Sequence, residues 1–562
     1  MRYLLLLLFL FPLGLFAQKD LRLQVVDKNT GEGIPFVNTV TTLSNHGSAS
    51  DFAGNLRIVH WVDGDSLKFS CVGYELNTLR ISQDLPKIIA LNPKMYSLNA
   101  VFIQADNTYL YRLISKLAKN RGHKAATAKG YFNLQSFQDG ERIELIEQYS
   151  NTHVRGYELE RMDYKNGRLG LGNFQDRVWV SSESSKALLF HKTFDDNRYF
   201  PLSPLECSFW KMKKEFNLQL LSRQEEQNAV IYHIAFEGKD SSASHFRGEI
   251  WLDSTNAHLR SISFKIENSK YHPFLPIGNG SISRVDLSLN KSFDLHEGHN
   301  LPKQIDFDYT VSYLTDTETR KIETKAAYFV YDYQSTFYPP LFTFSEGLHS
   351  DYRKVNATPY NSYFWENHQE FRILGEKDLK FLNQNKSASV DSVFGMANTF
   401  QGFESPYIQW REGGRLVFLY NRKQENTSKT KVNYVNYYDR DKEYAIKAQI
   451  YLDVNKIGDS LHLKSAAVFD PYESFFNPAV NDFTNQIFNL CFDEVEYERR
   501  LLMEEIKGLK DYKSIAEAHK KATENVERRI SMRLFEVKLG ENPKALRAWT
   551  KDMAARLLNT EG

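Results

Sequence analysis

The sequence predicts a mainly β protein with a helical C-terminus, and three observations carry that expectation. Aromatic residues are abundant, 39 Phe and 31 Tyr against 16 Pro, which suits extended, half-buried sheet surfaces. Alternating apolar and polar runs cut by turn residues recur from Leu21 to Tyr338, the pattern of short strands. Over the last 80 or so residues the apolar spacing changes to three and four, the helical period. The expected architecture is an N-terminal β-sandwich, a central curved antiparallel sheet and a C-terminal helical segment.

The chain opens MRYLLLLLFLFPLGLFA: Arg2 is a positive start, Tyr3 to Phe16 is almost wholly apolar, and Ala17 is small. That is the layout of a secretory signal peptide over residues 1–17, with the mature chain starting at Gln18. The apolar run is short of the roughly 20 residues that span a bilayer as a helix, although Leu15 is larger than is usual before a cleavage site; an uncleaved anchor is the minority reading. The protein is therefore expected to be exported, to the periplasm or in association with the outer membrane, with no transmembrane helix in the mature chain. No cysteine follows the apolar run, so a lipoprotein anchor is not expected.

A chain of 562 residues implies three or four domains at roughly 100–200 residues each. Lys plus Arg (71) balances Asp plus Glu (70), and no polybasic block or aromatic-interleaved basic stretch stands out, which sets nucleic acid aside as a partner. Cys71, Cys207 and Cys491 lie far apart with no CxxC pair, against a zinc knuckle or a thioredoxin-like site. A buried free thiol is expected for each.

Residues 18–95 break into LRLQVV, IPFVNTV, NLRIV, SLKFSCVGYE and KIIALNP, divided by turns such as Ala53-Gly54-Asn55 and Asp63-Gly64-Asp65. Roughly seven short strands at that spacing form a small sandwich. Val26-Asp27, Thr30-Gly31, Gly33 to Asn38, Asp51 with Gly54, Asp63-Gly64-Asp65 and Val72-Gly73-Tyr74 resemble the carboxypeptidase-regulatory-like domain of Bacteroidetes envelope proteins. Tyr96 to Ile103 resembles the segment leaving that domain. The resemblance implies a non-catalytic scaffold or docking module.

Within the linker, residues 96–125, Leu110, Leu113, Ile114, Leu117 and Ala118 make a helical stripe with Lys116, Lys119 and Arg121 toward its end. This helix and the following Tyr131-Phe132 resemble the linker in a group of uncharacterised Bacteroidetes outer-membrane proteins, where the helix leads into an antiparallel sheet. Residues 126–345 read as that sheet, with a clear hairpin where Gly248 to Leu252 and Leu259 to Ile266 flank Asp253-Ser254-Thr255-Asn256. The hairpin is similar to those of lipoprotein-carrier-like half-barrels, which implies a curved sheet around an apolar ligand. The plainer alternative is a sheet burying one face in its own core.

Residues 346–480 are mixed, irregular and β, too poor in strands for a closed membrane barrel. Tyr363-Phe364-Trp365, Phe371 to Leu374 and Lys377 to Leu379 resemble the same uncharacterised family. Residues 481–562 read as three helices: Phe483, Ile487, Leu490, Tyr497 and Leu501; then Ile515, Ala518, Ala522, Val526 and Ile530; then Leu546, Trp549, Met553 and Leu557 after Asn542-Pro543, an N-cap and N1 pair.

No catalytic, cofactor or metal site assembles from the sequence, and no cofactor is expected. His296-Glu297-Gly298-His299 has the wrong spacing for a zinc helix and reads as a hairpin turn. Glu494, Glu496, Glu498, Glu504 and Glu505, interleaved with Arg499, Arg500 and Lys507, read as a solvated helix face. Asp453 to Asp459 reads as a calcium-like loop or a hairpin turn, and Ser281 and Gly170-Leu171-Gly172 as turns. Trp365, Trp410 with Arg411, and Tyr363 are candidates for a sugar- or partner-binding surface, because exposed aromatics with arginine are enriched at interface hot spots; core burial competes. The first functional expectation is a non-enzymatic binding or scaffold protein of the envelope that recruits a protein complex. The alternative is a carrier of lipid or lipoprotein in the central sheet, and the third a hydrolase with a site assembled between domains.

Overall fold

The computed structural model describes residues 21–93, 107–344, 354–371, 380–382, 389–392, 408–416, 444–476 and 482–560, apart from breaks of at most four residues within those ranges. The expected signal peptide, Tyr96 to Ile103, Val72-Gly73 and the expected strands between 417 and 443 lie outside the described residues. The chain divides into two compact units, residues 1–99 with 365–376, and residues 100–364 with 377–562.

In the first unit β1 (Leu21–Asp27), β2 (Asn38–Thr41), β3 (Gly47–Ala49), β4 (Asn55–Ile58), β5 (Ser66–Ser70), β6 (Asn77–Arg80) and β7 (Ile88–Leu91) make two sheets, β4-β1-β7 and β3-β2-β5-β6. Alternation decides which side faces in: Leu67 and Phe69 are buried while Lys68 is exposed. Val25, Val37, Leu56 and Leu91 join them in one core. Gly54 sits at φ +80°, and a Cβ there would fall 2.2 Å from the Val25 carbonyl oxygen, so only glycine fits. Asp27 Oδ1 accepts from Asn29 N (2.7 Å) and Thr30 N (3.0 Å), and Tyr74 OH donates to Oδ2 (2.7 Å). Those bonds, the Thr30 amide foremost, hold the Asp27 carboxyl below the usual carboxylate range.

The second unit opens with α1 (Thr108–Lys119), whose buried residues Leu110, Tyr111, Ile114 and Leu117 keep the helical spacing. There follow β8 (Ala125–Gln138), β9 (Glu141–Arg155), β10 (Glu158–Leu171), β11 (Arg177–Val180), the short helix α2 (Phe209–Glu215), β12 (Phe216–Glu226), β13 (Ala229–Gly238), β14 (Arg247–Asp253), β15 (His258–Ile266), β16 (Ser281–His296), β17 (His299–Leu314) and β18 (Thr319–Asp332). Ten of these strands form one antiparallel sheet, β10-β9-β8-β18-β17-β16-β15-β14-β13-β12. The helix α2 interrupts what the sequence read as continuous sheet.

Bulges at Ser136/Phe137, Leu159/Arg161 and Tyr164/Asn166 bend the β8-β9-β10 end. That end curls until Cα atoms of β10 come within 8 Å of β17, four strands away. Tyr157, in the β9–β10 turn, then reaches across: its hydroxyl accepts from Asn300 Nδ2 (2.7 Å) and Leu259 N (3.2 Å). The sheet thus has an inner, concave face and an outer face. His296 and His299 close a two-residue turn with Glu297 at φ +48° and Gly298 at φ +78°, the mirror-image turn that suits strand twist. Gly170-Leu171 and Ser281 prove to be strand ends rather than turns.

Beyond the sheet come α3 (Ser362–Asn367), β19 (Ser389–Ser392), β20 (Ile408–Gln409), β21 (Tyr444–Ala445), β22 (Ala448–Ile457), β23 (Ser460–Phe469) and β24 (Phe475–Phe476), then α4 (Asp482–Glu505), α5 (Tyr512–Val537) and α6 (Pro543–Asn559). β19 pairs in parallel with β11, and β20-β23-β22 make a small sheet. That sheet packs against α4 and α5 through Ile450, Leu452, Phe488, Phe492, Val495 and Ile515. Asn542 caps α6 by accepting from Ala545 N (3.2 Å). Among the described residues no helix is long and apolar enough to cross a membrane.

The solvated-face reading of α4 is corrected. Glu494, Glu496 and Glu498 are 1 %, 4 % and 4 % exposed, because α4 is enclosed by β22–β23, α5 and α6. Each carboxylate has a partner: Glu496 takes Arg499 (2.7 Å) and Arg500 (2.8 Å), Glu498 takes Arg529 (2.8 Å), and Glu494 Oε1 accepts from Trp549 Nε1 (3.1 Å). Glu504 and Glu505 do lie exposed.

Candidate functional site: the inner face and its cover

Strand alternation places every second residue of the long strands on the inner face, and these are large and apolar. On β16 they are Val285, Leu287, Leu289 and Phe293; on β17, Ile305, Phe307, Tyr309, Val311 and Tyr313. Such a face must be covered. The cover is α1, with Leu110, Ile114 and Leu117, together with the segment running through Leu188, Phe200 and Leu205 to Met212 on α2. Phe200 meets Phe307 with ring centroids 6.2 Å apart, and Tyr111 OH donates to Phe216 O (2.9 Å), pinning α1 to the sheet edge.

A polar knot sits inside this apolar layer. Lys291 takes the place in the β16 alternation where an apolar residue belongs, and its ammonium donates to His191 O (2.8 Å) and Thr193 Oγ1 (3.1 Å), with Glu158 Oε2 at 3.7 Å. Burial pulls the Lys291 ammonium below the usual lysine range, with the Glu158 carboxylate opposing. His191 is 1 % exposed, its ring lies 5.0 Å from both Phe200 and Phe264, and neither ring nitrogen has a hydrogen-bond partner among the described residues. Burial first and Lys291 second hold this imidazole well below the usual histidine range, so it is neutral. Glu206, which accepts from Asn197 N and Ser203 N at 3.2 Å each, is pushed by burial up to about 7. A notch of about 150 Å³ between Arg121, Arg155, Tyr157, Glu158, Lys192 and Phe194 opens beside the knot. Its charges are matched: Arg121 pairs with Asp195 (2.6 Å), and Arg155 with Glu160.

The outer face differs along its length. Over β8–β10 it is buried under Phe337, Tyr338, Val355, Thr358, Phe364 and β22: Arg168 forks onto Glu147 (2.6 and 3.1 Å), Tyr131 OH donates to the same carboxylate (2.5 Å), and Lys165 pairs with Asp453. Over the middle strands it is polar and open. There Arg247, Lys265, Ser288, Asp308 and Lys325 follow one register row across β14 to β18, beside a shallow trough of about 360 Å³.

The candidate partner-binding residues take different places. Trp365, on α3, is 2 % exposed. Trp410 is half-buried, donating from Nε1 to Asp493 Oδ1 (2.7 Å) with the Arg500 guanidinium 5.3 Å from its ring. Arg411 is exposed, and Tyr363 OH meets His462 Nε2 at 2.8 Å. Asp453 belongs to neither a loop nor a turn: it is mid-strand on β22, fully buried, and the hairpin turn comes later, at Gly458 with φ +59°. Cys207 and Cys491 are buried free thiols and Cys71 a half-buried one, a correction for Cys71, which follows β5 at the edge of its core. Burial pushes the Cys207 thiol up to about 12. Sequence reasoning missed Lys291, His191 and Lys165; for Lys291 the signal was there, a lysine in the apolar phase of a strand.

No protein-family model matches the chain, and no curated protein matches it. Among solved structures it is similar to a DUF1329 family protein from Desulfovibrio piger (8 % identity, TM-score 0.18, covering 40 % of this chain and 93 % of that one). It is also similar to a LolA superfamily protein from Nitrosomonas europaea (10 %, 0.16, 40 % and 94 %) and to MucB (9 %, 0.17, 39 % and 92 %).

Proposed function

We propose that the protein is a non-catalytic binding protein of the cell envelope that holds an apolar chain, such as the acyl part of a lipid or lipoprotein, against the inner face of its ten-stranded sheet. One observation carries this reading: the apolar inner face is closed by helix and loop, α1 and the segment from Leu188 to Met212, rather than by a second sheet. Between cover and sheet the apolar layer is interrupted by the unpartnered imidazole of His191 and the ammonium of Lys291. The secretory leader read from residues 1–17 supports the envelope location. The test is organic extraction of protein purified from native envelopes, with mass spectrometry of the extract and titration of the delipidated protein with a fluorescent fatty acid. About one acyl lipid per chain and saturable binding are expected; an empty extract with no saturable binding overturns the reading.

A second reading, recruitment of an envelope protein complex, is favoured by the open charged row on the outer face and by the N-terminal sheets, whose motif residues resemble a docking module. Crosslinked affinity capture from envelope membranes separates the two, since stoichiometric protein partners without lipid support recruitment.

A further inference from the structure

Helices α1 and α2 lie side by side over the inner face, tied where Lys213 Nζ donates to Thr108 Oγ1 (3.1 Å). Their sequences are TYLYRLISKLAK and FWKMKKE. The inward residues are apolar, whereas Arg112, Lys116, Lys119, Lys211, Lys213 and Lys214 are all exposed. Against these six basic groups stands one carboxylate, Glu215, already engaged by His245 (3.3 Å) and Lys214 (3.5 Å). The two helices carry a net charge of +5 where the entire chain carries +1, so this face concentrates charge that the rest of the molecule balances.

Trp210 stands in the same face, 77 % exposed, its ring 5.2 Å from that of the half-buried Phe209. Leaving a large indole in water forgoes the burial that tryptophan ordinarily supplies. An indole among lysines matches the water–bilayer boundary, where amphipathic rings sit at headgroup depth and basic side chains meet anionic headgroups.

We infer that the outward surface of α1 and α2 docks onto an anionic lipid bilayer, with Trp210 entering the headgroup layer and the six basic side chains facing the phosphates. The inference goes beyond the apolar-ligand reading and does not depend on it. An acidic protein would satisfy the charge but gives the indole no place of its own.

The test is co-sedimentation of the natively processed protein with vesicles of phosphatidylcholine alone and of phosphatidylcholine containing phosphatidylglycerol. Binding is expected only to the anionic vesicles and to weaken as salt rises. Each basic residue removed should weaken it about fivefold, so that a Lys116→Gln/Lys211→Gln/Lys214→Gln variant loses roughly a hundredfold, and Trp210→Ala should also bind less tightly. All four positions are exposed, and far-UV circular dichroism with the urea midpoint checks that the variants fold. Equal binding to both vesicle types, wild-type binding by the triple variant, or indifference to vesicles with capture by polyglutamate or duplex DNA each overturn the inference. Extractable lipid in a protein indifferent to vesicles overturns docking and leaves the ligand reading standing.

Discussion

Lys165 on β10 and Asp453 on β22, 288 positions apart, form an ion pair with side chains 1 % and 0 % exposed. The ammonium also donates to Tyr338 O (2.8 Å) and Val454 O (2.9 Å), while Asp453 Oδ2 accepts from Asn361 and Asn455 (3.0 Å each) and more distantly Asn166 (3.4 Å). One carboxylate therefore joins the large sheet, the segment before α3 and the β22–β23 hairpin. Burial pulls the Lys165 ammonium below the usual lysine range, and Asp453 opposes that shift.

Removing one partner of such a pair strands the other, at a cost of about 3–5 kcal/mol. Asp453→Ala should be the worse change, since it leaves a buried ammonium and orphans the amides as well; Lys165→Met leaves Asp453 its amide donors. Urea unfolding of both variants checks the order, and equal losses would show that the amides contribute nothing.

Glu206 gives a pH dependence of known sign. Burial raises its folded value to about 7, above the 4.5 of an ordinary glutamate, so its contribution is fully present below 4.5 and is lost as pH rises through 7. Glu206→Gln should flatten the stability profile over that window while leaving the far-UV spectrum unchanged.

His191 acts in the opposite direction. Its folded pKa is depressed below 6.5, so its contribution is present above that pH and fades as pH falls and the unfolded chain takes up the proton. His191→Leu should unfold less readily than the wild type below pH 6 relative to pH 8, as measured by thermal melts at both values.

The buried carboxylates of α4 separate from the exposed ones. Glu498→Ala should cost about 2–3 kcal/mol, because Arg529 and Asn525 lose a charged acceptor. Glu505→Ala, on the exposed end of the same helix, should stay within about 0.5 kcal/mol. Chemical denaturation of the pair checks this.

Tyr157→Phe should cost about 1–2 kcal/mol by cutting the two bonds that hold the β9–β10 turn over β15 and β17. Amide hydrogen exchange should quicken at Leu259, whose N–H donates to that hydroxyl.

Much of the framework was legible in the chain. Period-two runs marked the strands, the Leu110–Ile114–Leu117 stripe marked α1, and Asn542-Pro543 marked the start of α6, because each is a local pattern that needs no distant partner. Glu494, Glu496 and Glu498 misled for the complementary reason. A carboxylate next to an arginine reads the same whether the helix is solvated or enclosed by β22–β23, α5 and α6.

The sequence by itself determined that this protein is β-rich with a helical end, and that its apolar residues fall on one side of its strands, since alternation and helical spacing are properties of neighbouring residues. Only the tertiary structure decided how far the expected curved sheet curls, bringing β10 to β17, that α1 and the segment from Leu188 to Met212 close its inner face, and that Lys165 finds Asp453 and Lys291 finds His191. Those pairings join residues about 100 and 288 positions apart, and burial, which sets their charge states and their energies, exists only once distant strands have come together.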